Sequence, residues 1–325
     1  MPDSVVPSKL SVSVVVVTLQ RPEVLRICLQ HLVSQTVPAW ELVVVDASPD
    51  QETRHLIEKE FPSVRYLKNP LGPGTTGASR NLGLAAVTGD IIAFIDDDAF
   101  AYVDWIEQLL KPYMHQDVGG VGGRALNGQP GEDTLGVEEI GQFRADGTLT
   151  GNFAANPGHT VEVDHFLGAN MSFRREVLLS LGGIRDGYPG TCLREETDLA
   201  VRVKRAGWQL IFTPFAVVEH VGAPYPKGRR FDVRYTYYAE RNHIVFLIRV
   251  VGFLSPELRC YLGIGLRSAK RELTRGLRAP LGIPGHGIKR PIRSLLGGLA
   301  RASAIVLGLI VGLQSGIRQT LSDRN

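Results

Sequence analysis

Cysteine is scarce in this sequence of 325 residues. The three cysteines, Cys28, Cys192 and Cys260, are scattered and odd in number. Their spacing forms neither a disulfide framework nor a paired zinc-binding pattern. The sequence therefore argues against a small disulfide-stabilised scaffold and favours a reducing, cytoplasmic compartment.

Two kinds of motif are also missing. The N-terminal residues show no basic stretch followed by an apolar stretch and a cleavage site, so no signal peptide is predicted. The Walker phosphate-binding pattern and the glycine-rich dinucleotide fingerprint do not occur, which argues against an ATPase or a dehydrogenase. The sequence thus points away from two common classes of nucleotide-binding protein.

Acidic residues are scarce toward the C-terminal end. From Val251 onward there are three Asp or Glu residues against twelve Lys or Arg. The remainder carries 30 acidic and 24 basic residues, so the formal charge of +3 hides a marked asymmetry. We expect an acidic domain over residues 1–250 and a basic tail over 251–325 that favours an anionic surface.

Apolar runs alternate with helical patterns in the first hundred residues. Strands are predicted over Ser11–Val17, Trp40–Val45, Val64–Leu67 and Ile91–Ile95. Helices are predicted between them, over Glu23–Ser34, Gln51–Phe61 and Ser79–Val87. This alternation indicates an α/β fold whose sheet is built largely from parallel strands.

Polar side chains follow three of these strands at the point where each strand ends. They are Thr18, Asp46 and the pair Asp96 and Asp98. Ligands of open α/β sheets bind outside the carboxyl ends of the strands. The sequence therefore predicts that these residues share one site.

The run Asp96, Asp97 and Asp98 directly follows an apolar strand. In an extended chain Asp96 and Asp98 project to the same side, whereas Asp97 points away. Adjacent carboxylates repel one another, and a divalent cation such as Mg²⁺ or Mn²⁺ removes that cost. The alternative is a solvated acidic turn, and the preceding buried strand favours the metal.

A glycine-rich segment over residues 72–85 precedes this strand. Arg80 is predicted near the N-terminus of the helix Ser79–Val87, where backbone amides and the helix dipole favour phosphate. The alternative is an ordinary loop with a surface arginine.

These motifs together resemble family 2 glycosyltransferases, including bacterial rhamnosyl and polysaccharide transferases. The resemblance rests on the strand ending at Thr18, Val44–Ser48, Ala78–Gly83 and Phe94–Asp98, and it covers roughly Val12 to Arg249. It implies the A-type glycosyltransferase fold, in which a mixed, mostly parallel sheet flanked by helices binds a nucleotide-diphospho-sugar. A C-terminal helical tail follows the catalytic domain predicted over 1–250.

The resemblance implies roles for residues at the strand ends. Thr18 and Asp46 would contact the nucleotide base and ribose, and Arg80 would contact the nucleotide. Asp96 and Asp98 would hold the metal and the diphosphate, with Asp98 the more direct ligand. Family members often carry a second Asp or an Asn after the acid at the Asp46 position. Here Ala47 stands there, so the resemblance does not fix the base of the donor.

Further family motifs occur downstream. The segment Gly168–Arg175 resembles the lining of the donor-sugar pocket, which implies Asn170 and Met171 as donor-binding residues; Met171 is equally compatible with core packing. His220 follows a short apolar run and would reach the metal or the diphosphate. Arg241 would pair with the diphosphate or brace the fold.

An acidic helix start over residues 195–202 is the second place where catalytic chemistry is expected. Glu195, Glu196 and Asp198 fall in the first turn, where acids also favour a helix by capping it. The family pattern places a catalytic base at the position of Glu196, with Asp198 and Glu195 as rivals. Such a base takes the proton from the acceptor hydroxyl.

The tail combines basic and apolar segments. Arg267–Arg278 resembles an interfacial helix, residues 282–291 form a Gly/Pro linker, and Ser294–Ile317 is apolar apart from Arg301. That last segment is borderline for a span, which needs about twenty apolar residues. We expect a peripheral protein on the cytoplasmic, inner face of the cell membrane; the alternatives are packing on the catalytic domain or an oligomer interface.

The function implied is a metal-dependent (Mg²⁺ or Mn²⁺) glycosyltransferase of polysaccharide or glycolipid biosynthesis. It would move a sugar, with inversion, from a nucleotide-diphosphate donor to a hydroxyl acceptor that can be lipid-linked, and no nucleic-acid partner is expected. The alternatives are a non-catalytic nucleotide-sugar-binding protein and a nucleotidyltransferase, whose glycine-rich N-terminal loop is not matched. A processive synthase would need a Gln-x-x-Arg-Trp motif, which is absent.

Overall fold

The computed structural model of the chain describes residues 10–190, 192–222, 232–277 and 289–323, with side chains described from residue 294 in the last range. Backbone packing divides the chain into two compact units. The first unit runs to Gln142 and adds Gly151–Arg185 and Leu199–Ala223. The second comprises Phe143–Thr150, Asp186–Asp198 and the described residues that follow Ala223.

The first unit is built on a mixed sheet, to which the described residues contribute nine strands. They are β1 (Val12–Thr18), β2 (Glu41–Asp46), β3 (Arg65–Lys68), β4 (Ile91–Asp96), β5 (Ala99–Ala101), β6 (Val118–Leu126), β7 (Val161–Glu162), β8 (Asn170–Arg174) and β9 (Gln209–His220). Their order is β3-β2-β1-β4-β8-β6-β9-β5, with β7 paired to β9. Six of them point the same way, and β5, β7 and β8 oppose them. The mostly parallel sheet predicted from the sequence is therefore present.

Both faces of this sheet are covered. Successive residues of a strand point to opposite faces, and in β1 Val14 and Val16 enter one apolar cluster whereas Val15 enters another. The central strands consequently read as continuous apolar runs. The described residues form six helices that accompany the sheet: α1 (Pro22–Val33), α2 (Glu52–Glu60), α3 (Thr76–Ala86), α4 (Trp105–Leu110), α5 (Arg175–Ser180) and α6 (Glu195–Arg205). The first turn of α6 belongs to the second unit.

Three sequence-based assignments were wrong in detail. The apolar residues Trp105, Ile106, Leu109 and Leu110 predict one helix over Ala99–Met114. In the structure Ala99–Ala101 is instead β5, because Ala99 pairs with His220 of β9, and a 3₁₀ turn over Lys111–Met114 follows α4. The apolar runs Trp208–Phe212 and Ala216–His220 predict separate segments, but β9 is continuous from Gln209 to His220. Its pairing with β6 shifts register around Pro214, where a bulge accommodates the missing amide hydrogen. Finally, α3 begins at Thr76, so Arg80 lies in its second turn.

The second unit is helical. It contains α7 (Val233–Val250), α8 (Pro256–Leu277) and α9 (Lys289–Ser322). Most of the linker predicted over 282–291 lies outside the described residues, although α9 already begins at Lys289. Because α7 belongs to this unit, the units do not follow the predicted boundary at residue 250. The division into a catalytic domain and a tail stays a prediction about function.

Glycines set the packing of α9 against α7. Gly308, Gly312 and Gly316 recur every fourth residue and so share one helix face. A Cβ at Gly312 would lie 2.7 Å from the Cβ of Ile244, and one at Gly308 would lie 2.8 Å from the carbonyl oxygen of Tyr237. Only the absence of side chains on this face allows the two backbones to approach so closely.

Candidate functional site

The carboxyl ends of β1, β2 and β4 meet at one edge of the sheet. Thr18 is the register partner of Asp46, and Val17 is the partner of Asp96. The polar residues that follow the three strands are therefore neighbours, as the alternation of strands and helices predicts.

Asp96, Asp98 and His220, called the metal group below, converge at this edge. One ligand atom from each lies within 4.8 Å of those from the other two. His220 arrives from the end of β9, which is held beside the aspartates by the β5 pairing and by a 3.0 Å bond from the Val221 amide to the carbonyl of Asp98. Two carboxylates and an imidazole are a donor set that fits a divalent cation.

Asp97 is not a member of the metal group. The strand ends at Asp96, and Asp97 and Asp98 lie in the turn that follows it, so the alternation expected for an extended chain does not extend to them. The buried carboxylate of Asp97 accepts a 2.7 Å bond from Thr18 Oγ1 and lies 2.7 Å from Nη2 of Arg21. Burial raises the pKa of the Asp97 carboxyl to about 7, although the charge of Arg21 lowers it. Since the Thr18 hydroxyl is engaged here, contact between Thr18 and a nucleotide base stays a prediction.

Arg21 is a residue of the site that sequence reasoning missed. Its guanidinium joins Asp97 to Asp98, with Nη1 3.1 Å from Oδ2 of Asp98. The signal available was an arginine between a strand end and a helix that starts with proline. Arg21 therefore orients one member of the metal group.

Arg80 orients another member. Its Nη2 atom donates to Oδ1 of Asp96 and to the carbonyl of Gly168, both at 3.1 Å, and the side chain is buried near the ring of Phe94. The position of the Arg80 side chain is therefore set by its contact with the Asp96 carboxylate and not by the N-terminus of the helix. Its contact with a nucleotide stays a prediction.

Asp46 is buried with both carboxylate oxygens hydrogen-bonded. Oδ1 accepts from the Ser48 amide at 2.8 Å, and Oδ2 accepts from the Tyr66 hydroxyl at 3.0 Å. Burial, followed by the charge of Asp46, raises the pKa of Tyr66. The carboxylate thus fixes the turn after β2, and its contact with a ribose stays a prediction.

Asn170 and Met171 open β8 and are both buried. Asn170 accepts from the indole of Trp105 at 2.9 Å and donates to the carbonyls of Arg124 and Ala216 at 2.8 and 2.9 Å. Met171 packs in the second apolar cluster of the sheet. Both residues therefore stabilise the packing around β8. That they line a donor-sugar pocket stays a prediction.

The three acids of the first turn of α6, called the acidic turn below, lie in the second unit. Glu195 and Asp198 are buried, whereas Glu196 is partly accessible. Asp198 Oδ2 accepts a 2.5 Å bond from the hydroxyl of Tyr188. Accessibility therefore separates Glu196 from its two rivals.

Arg241, the remaining ambiguous residue, makes its contacts inside the second unit, and its pairing with a diphosphate stays a prediction. It donates to the carbonyl of Gly187 and, at 2.9 Å, to Oδ1 of Asn242. Burial lowers the pKa of its guanidinium.

Solved structures with the same architecture define the class of fold. A mannosyltransferase from Pyrobaculum calidifontis in complex with GDP-Man and Mn²⁺ matches 98% of this chain and 89% of its own, at a TM-score of 0.59 and 17% identity. GalNAc-T7 with UDP, GalNAc and Mn²⁺ matches 75% of this chain and 51% of its own, at a TM-score of 0.57 and 17% identity. The predicted A-type glycosyltransferase fold is confirmed.

Sequence comparison then gives the family. The model of Glycosyl transferase family 2 matches residues 13–181, just over half of the chain, and the chain belongs to this family. A glucosyl-dolichyl phosphate glucuronosyltransferase from Haloferax volcanii is 29% identical over 222 residues, which are 65% of this chain and 69% of that protein. The succinoglycan biosynthesis protein ExoM from Rhizobium meliloti is 26% identical over 227 residues, 68% of this chain and 69% of its own.

Proposed function

We propose that this protein transfers a sugar, with inversion, from a nucleotide-diphosphate donor to a hydroxyl acceptor in glycan or glycolipid biosynthesis. The observation that carries the proposal is the metal group at the carboxyl edge of the sheet. Membership of family 2 and the nucleotides and Mn²⁺ bound by the two solved neighbours support it.

Asp96, Asp98 and His220 would hold the cation, with Arg80 and Arg21 orienting the two carboxylates. A bound Mg²⁺ or Mn²⁺ neutralises charge that develops on a diphosphate leaving group. The guanidinium groups supply hydrogen bonds that fix carboxylate ligands, a role on which metal affinity commonly depends.

Glu196 is the proposed general base. A base must come within hydrogen-bonding distance of the acceptor hydroxyl, and Glu196 is the accessible member of the acidic turn. A carboxylate oxygen of Glu196 would take the hydroxyl proton as the acceptor oxygen attacks the anomeric carbon. Glu195 and Asp198 are less suited to this role because both are buried.

A lipid-linked acceptor on the cytoplasmic face of the membrane is the proposed substrate class. The name of the Haloferax volcanii relative includes a dolichyl phosphate, which supports this class. On α8 the exposed Leu266, Leu273 and Leu277 lie beside a basic row formed by Arg267, Arg271 and Arg275. This combination is typical of a helix that lies on an anionic membrane surface.

The apolar helix α9 is the proposed second membrane contact. Ser294–Ser322 is long and apolar enough to cross a membrane, a property shared by core helices of soluble proteins. Opposite its glycine face, α9 exposes an apolar row, called the leucine stripe below: Leu296, Leu299, Leu307, Ile310, Ile317 and Leu321. Arg301 is paired with Glu272 of α8 at 2.7 Å. With one face packed on α7, α9 suits attachment along the surface better than a span.

A donor screen tests the transferase proposal. The purified full-length protein is incubated with Mn²⁺ and UDP-, GDP- or dTDP-sugars, with and without a prenyl-phosphate-linked sugar acceptor. We expect one donor to give acceptor-dependent release of its nucleoside diphosphate and a lengthened glycan of inverted anomeric configuration. Donor binding by calorimetry without turnover under any condition would instead support the non-catalytic alternative.

A further inference from the structure

The described residues 186–190 and 192–194, called the anchored loop below, lead into the acidic turn. At Gly187, Gly190, Cys192 and Arg194 the backbone has positive φ angles of 108°, 80°, 56° and 85°. Residues with side chains rarely adopt the left-handed region and keep it only where their surroundings hold them there. Cys192 and Arg194 therefore indicate that neighbouring elements of the second unit determine the conformation of this loop.

Helix α7 supplies several of the contacts. Asn242 Nδ2 donates to the carbonyl of Pro189 at 3.2 Å. Nε of Arg194 donates to Nδ1 of His243 at 2.9 Å, so the imidazole accepts at Nδ1 and donates from Nε2 to the carbonyl of Gly147 at 2.7 Å. One turn of α7 thus contacts the loop at two points, Pro189 and Arg194.

The second set of contacts centres on Arg249, near the end of α7. Its guanidinium donates to both carboxylate oxygens of Asp323, which follows α9, at 2.9 and 2.8 Å. It also donates to the carbonyl of Asp186 at 2.6 Å and lies 5.4 Å from the centre of the Tyr188 ring. Arg249 and Asp323 are therefore joined by a bidentate, charge-assisted pair, which is a strong kind of hydrogen bond, and a further bond joins Arg249 to the start of the anchored loop.

Tyr188 connects Arg249 with the acidic turn. It is buried, and its hydroxyl donates to Asp198. Burial would lower the pKa of the Arg249 guanidinium, yet the bond to Asp323 and the nearby charges, including that of Asp198, raise it. Asp323, Arg249, Tyr188 and Asp198 thus form one line of contacts from the end of α9 to the acidic turn.

We propose that Tyr188, Arg249 and Asp323 are positioning residues that hold Asp198, and through it orient the helix turn that presents Glu196. This inference rests on the proposed glycosyltransferase function and deepens it. Asp198 then has an orienting role, because its carboxylate is buried and directed to Tyr188. The C-terminal helix α9 consequently contributes to turnover and not only to attachment.

A matched pair of ion pairs separates positioning from general stability. Asp323 and Glu272 both pair with an arginine in a contact between α9 and another helix, and their side chains are 21% and 20% exposed. Asp323→Asn removes the charge that pairs with Arg249 next to the anchored loop. Glu272→Gln removes the charge that pairs with Arg301, in the first half of α9, and with Arg275 of α8. Neither substitution changes side-chain size, so packing is kept.

The experiment measures kcat, donor KM and thermal midpoint for the full-length protein and for Asp323→Asn, Glu272→Gln and Tyr188→Phe. We expect Asp323→Asn and Tyr188→Phe to lower kcat by about tenfold or more, the effect of losing a hydrogen bond to a charged group, with donor KM unchanged. Glu272→Gln should keep the wild-type kcat. Equal kcat values in Asp323→Asn and Glu272→Gln would overturn the inference, whatever their midpoints.

The pH profile of Asp198→Asn provides the second readout. If Asp198 orients the turn, its amide variant is slower but keeps the acidic limb of the kcat profile, which belongs to the base. Loss of that limb in Asp198→Asn would identify Asp198 as the base and overturn the inference. Wild-type protein that transfers no sugar would instead contradict the proposed function, so the two failures are distinguishable.

Discussion

The Nη2 atom of Arg80 lies 3.1 Å from Oδ1 of Asp96, inside a buried environment that also includes the carbonyl of Gly168. A cation on the metal group would therefore meet a carboxylate already held by a positive charge. The arginine fixes the carboxylate geometry, and its charge also lowers the affinity of the group for cations. Arg80 accordingly affects both the geometry of the metal group and its affinity for a cation.

Replacement of Arg80 by lysine tests this role. Arg80→Lys keeps the charge but loses the planar guanidinium, and we expect a loss of about 10- to 100-fold in Mn²⁺ affinity or activity, as for other residues that orient metal ligands. Activity is measured against Mn²⁺ concentration. Arg65→Lys is the control, because Arg65 is exposed and donates to the carbonyl of Ala86. Equal Mn²⁺ dependence in both variants would contradict the role.

Removal of a member of the metal group should abolish transfer. Asp98→Ala deletes the carboxylate closest to His220, so we expect no turnover and no Mn²⁺ binding by calorimetry, with unchanged circular dichroism. Asp117→Ala, which alters an exposed acid outside the metal group, serves as the control. Full turnover by Asp98→Ala, or by the wild type in excess EDTA, would rule out the metal assignment.

Replacement of Glu196 by glutamine removes basicity and preserves shape. We expect kcat to fall by roughly 10²- to 10⁴-fold, the usual contribution of a positioned general base, while donor affinity measured by calorimetry stays the same. Asp198→Asn is the comparison, and it should be the less damaging change. The opposite ranking would assign the base to Asp198.

Polar substitutions in the leucine stripe should release the protein from membranes. The triple variant Leu299→Gln, Leu307→Gln and Ile310→Gln should bind vesicles of 25% phosphatidylglycerol at least about tenfold more weakly, since each inserted methylene contributes about 0.8 kcal/mol. Binding should also weaken at high salt, because exposed basic residues are screened.

The control for the stripe is Leu71→Gln with Leu135→Gln, two exposed leucines of the first unit. A truncation after Leu254 would also test membrane contact, but it would remove α9 and expose the face of α7 that packs on it. Substitutions avoid that exposure. Vesicle binding that is identical in the triple variant would contradict membrane contact. A dimer that dissociates in the triple variant would identify a second copy as the occupant of the stripe.

The close packing of the glycine face of α9 leads to a prediction about the free energy of unfolding. Gly312→Ala places a Cβ 2.7 Å from that of Ile244, and we expect it to lower the free energy of unfolding by about 1–3 kcal/mol through overpacking. Gly297→Ala, whose Cβ would meet nothing closer than 3.9 Å, should be neutral or stabilising by up to about 1 kcal/mol through helix propensity. Chemical denaturation measures both, and a stabilised Gly312→Ala would contradict the packing.

The central strands could be predicted because strands that are buried on both faces appear in the sequence as uninterrupted runs of apolar residues. The predicted and observed bounds of β1 and β2 differ by one residue at each end. Strand β5 could not be predicted, because its three residues become a strand only by pairing with β9, more than a hundred positions away. The same distinction holds for the residues of the site. The adjacent aspartates can be recognised in the sequence, but which arginines pair with them is determined by the fold.

Arg80 and Arg21 illustrate that distinction. The sequence singled out Arg80 through its helix, yet tertiary contacts with Asp96 determine its place. Arg21 gave a weak signal because it pairs with residues 76 and 77 positions later. The glycines of α9 were visible as a four-residue repeat within an apolar segment, but only their contacts distinguish a packed helix from a span.

The ion pairs of Arg301, within α9, and of Asp323, directly after it, have a consequence for membrane topology. A helix that crosses a bilayer delivers the residues after it to the opposite compartment. Arg301 pairs with Glu272 before α9, and Asp323, which follows α9, pairs with Arg249 of α7. Arg301 and Asp323 must therefore share one compartment with α7 and α8. A topology inferred from hydropathy would place Asp323 across the membrane from its partner, and a reporter fused beyond Asp323 should be found on the same side as α7.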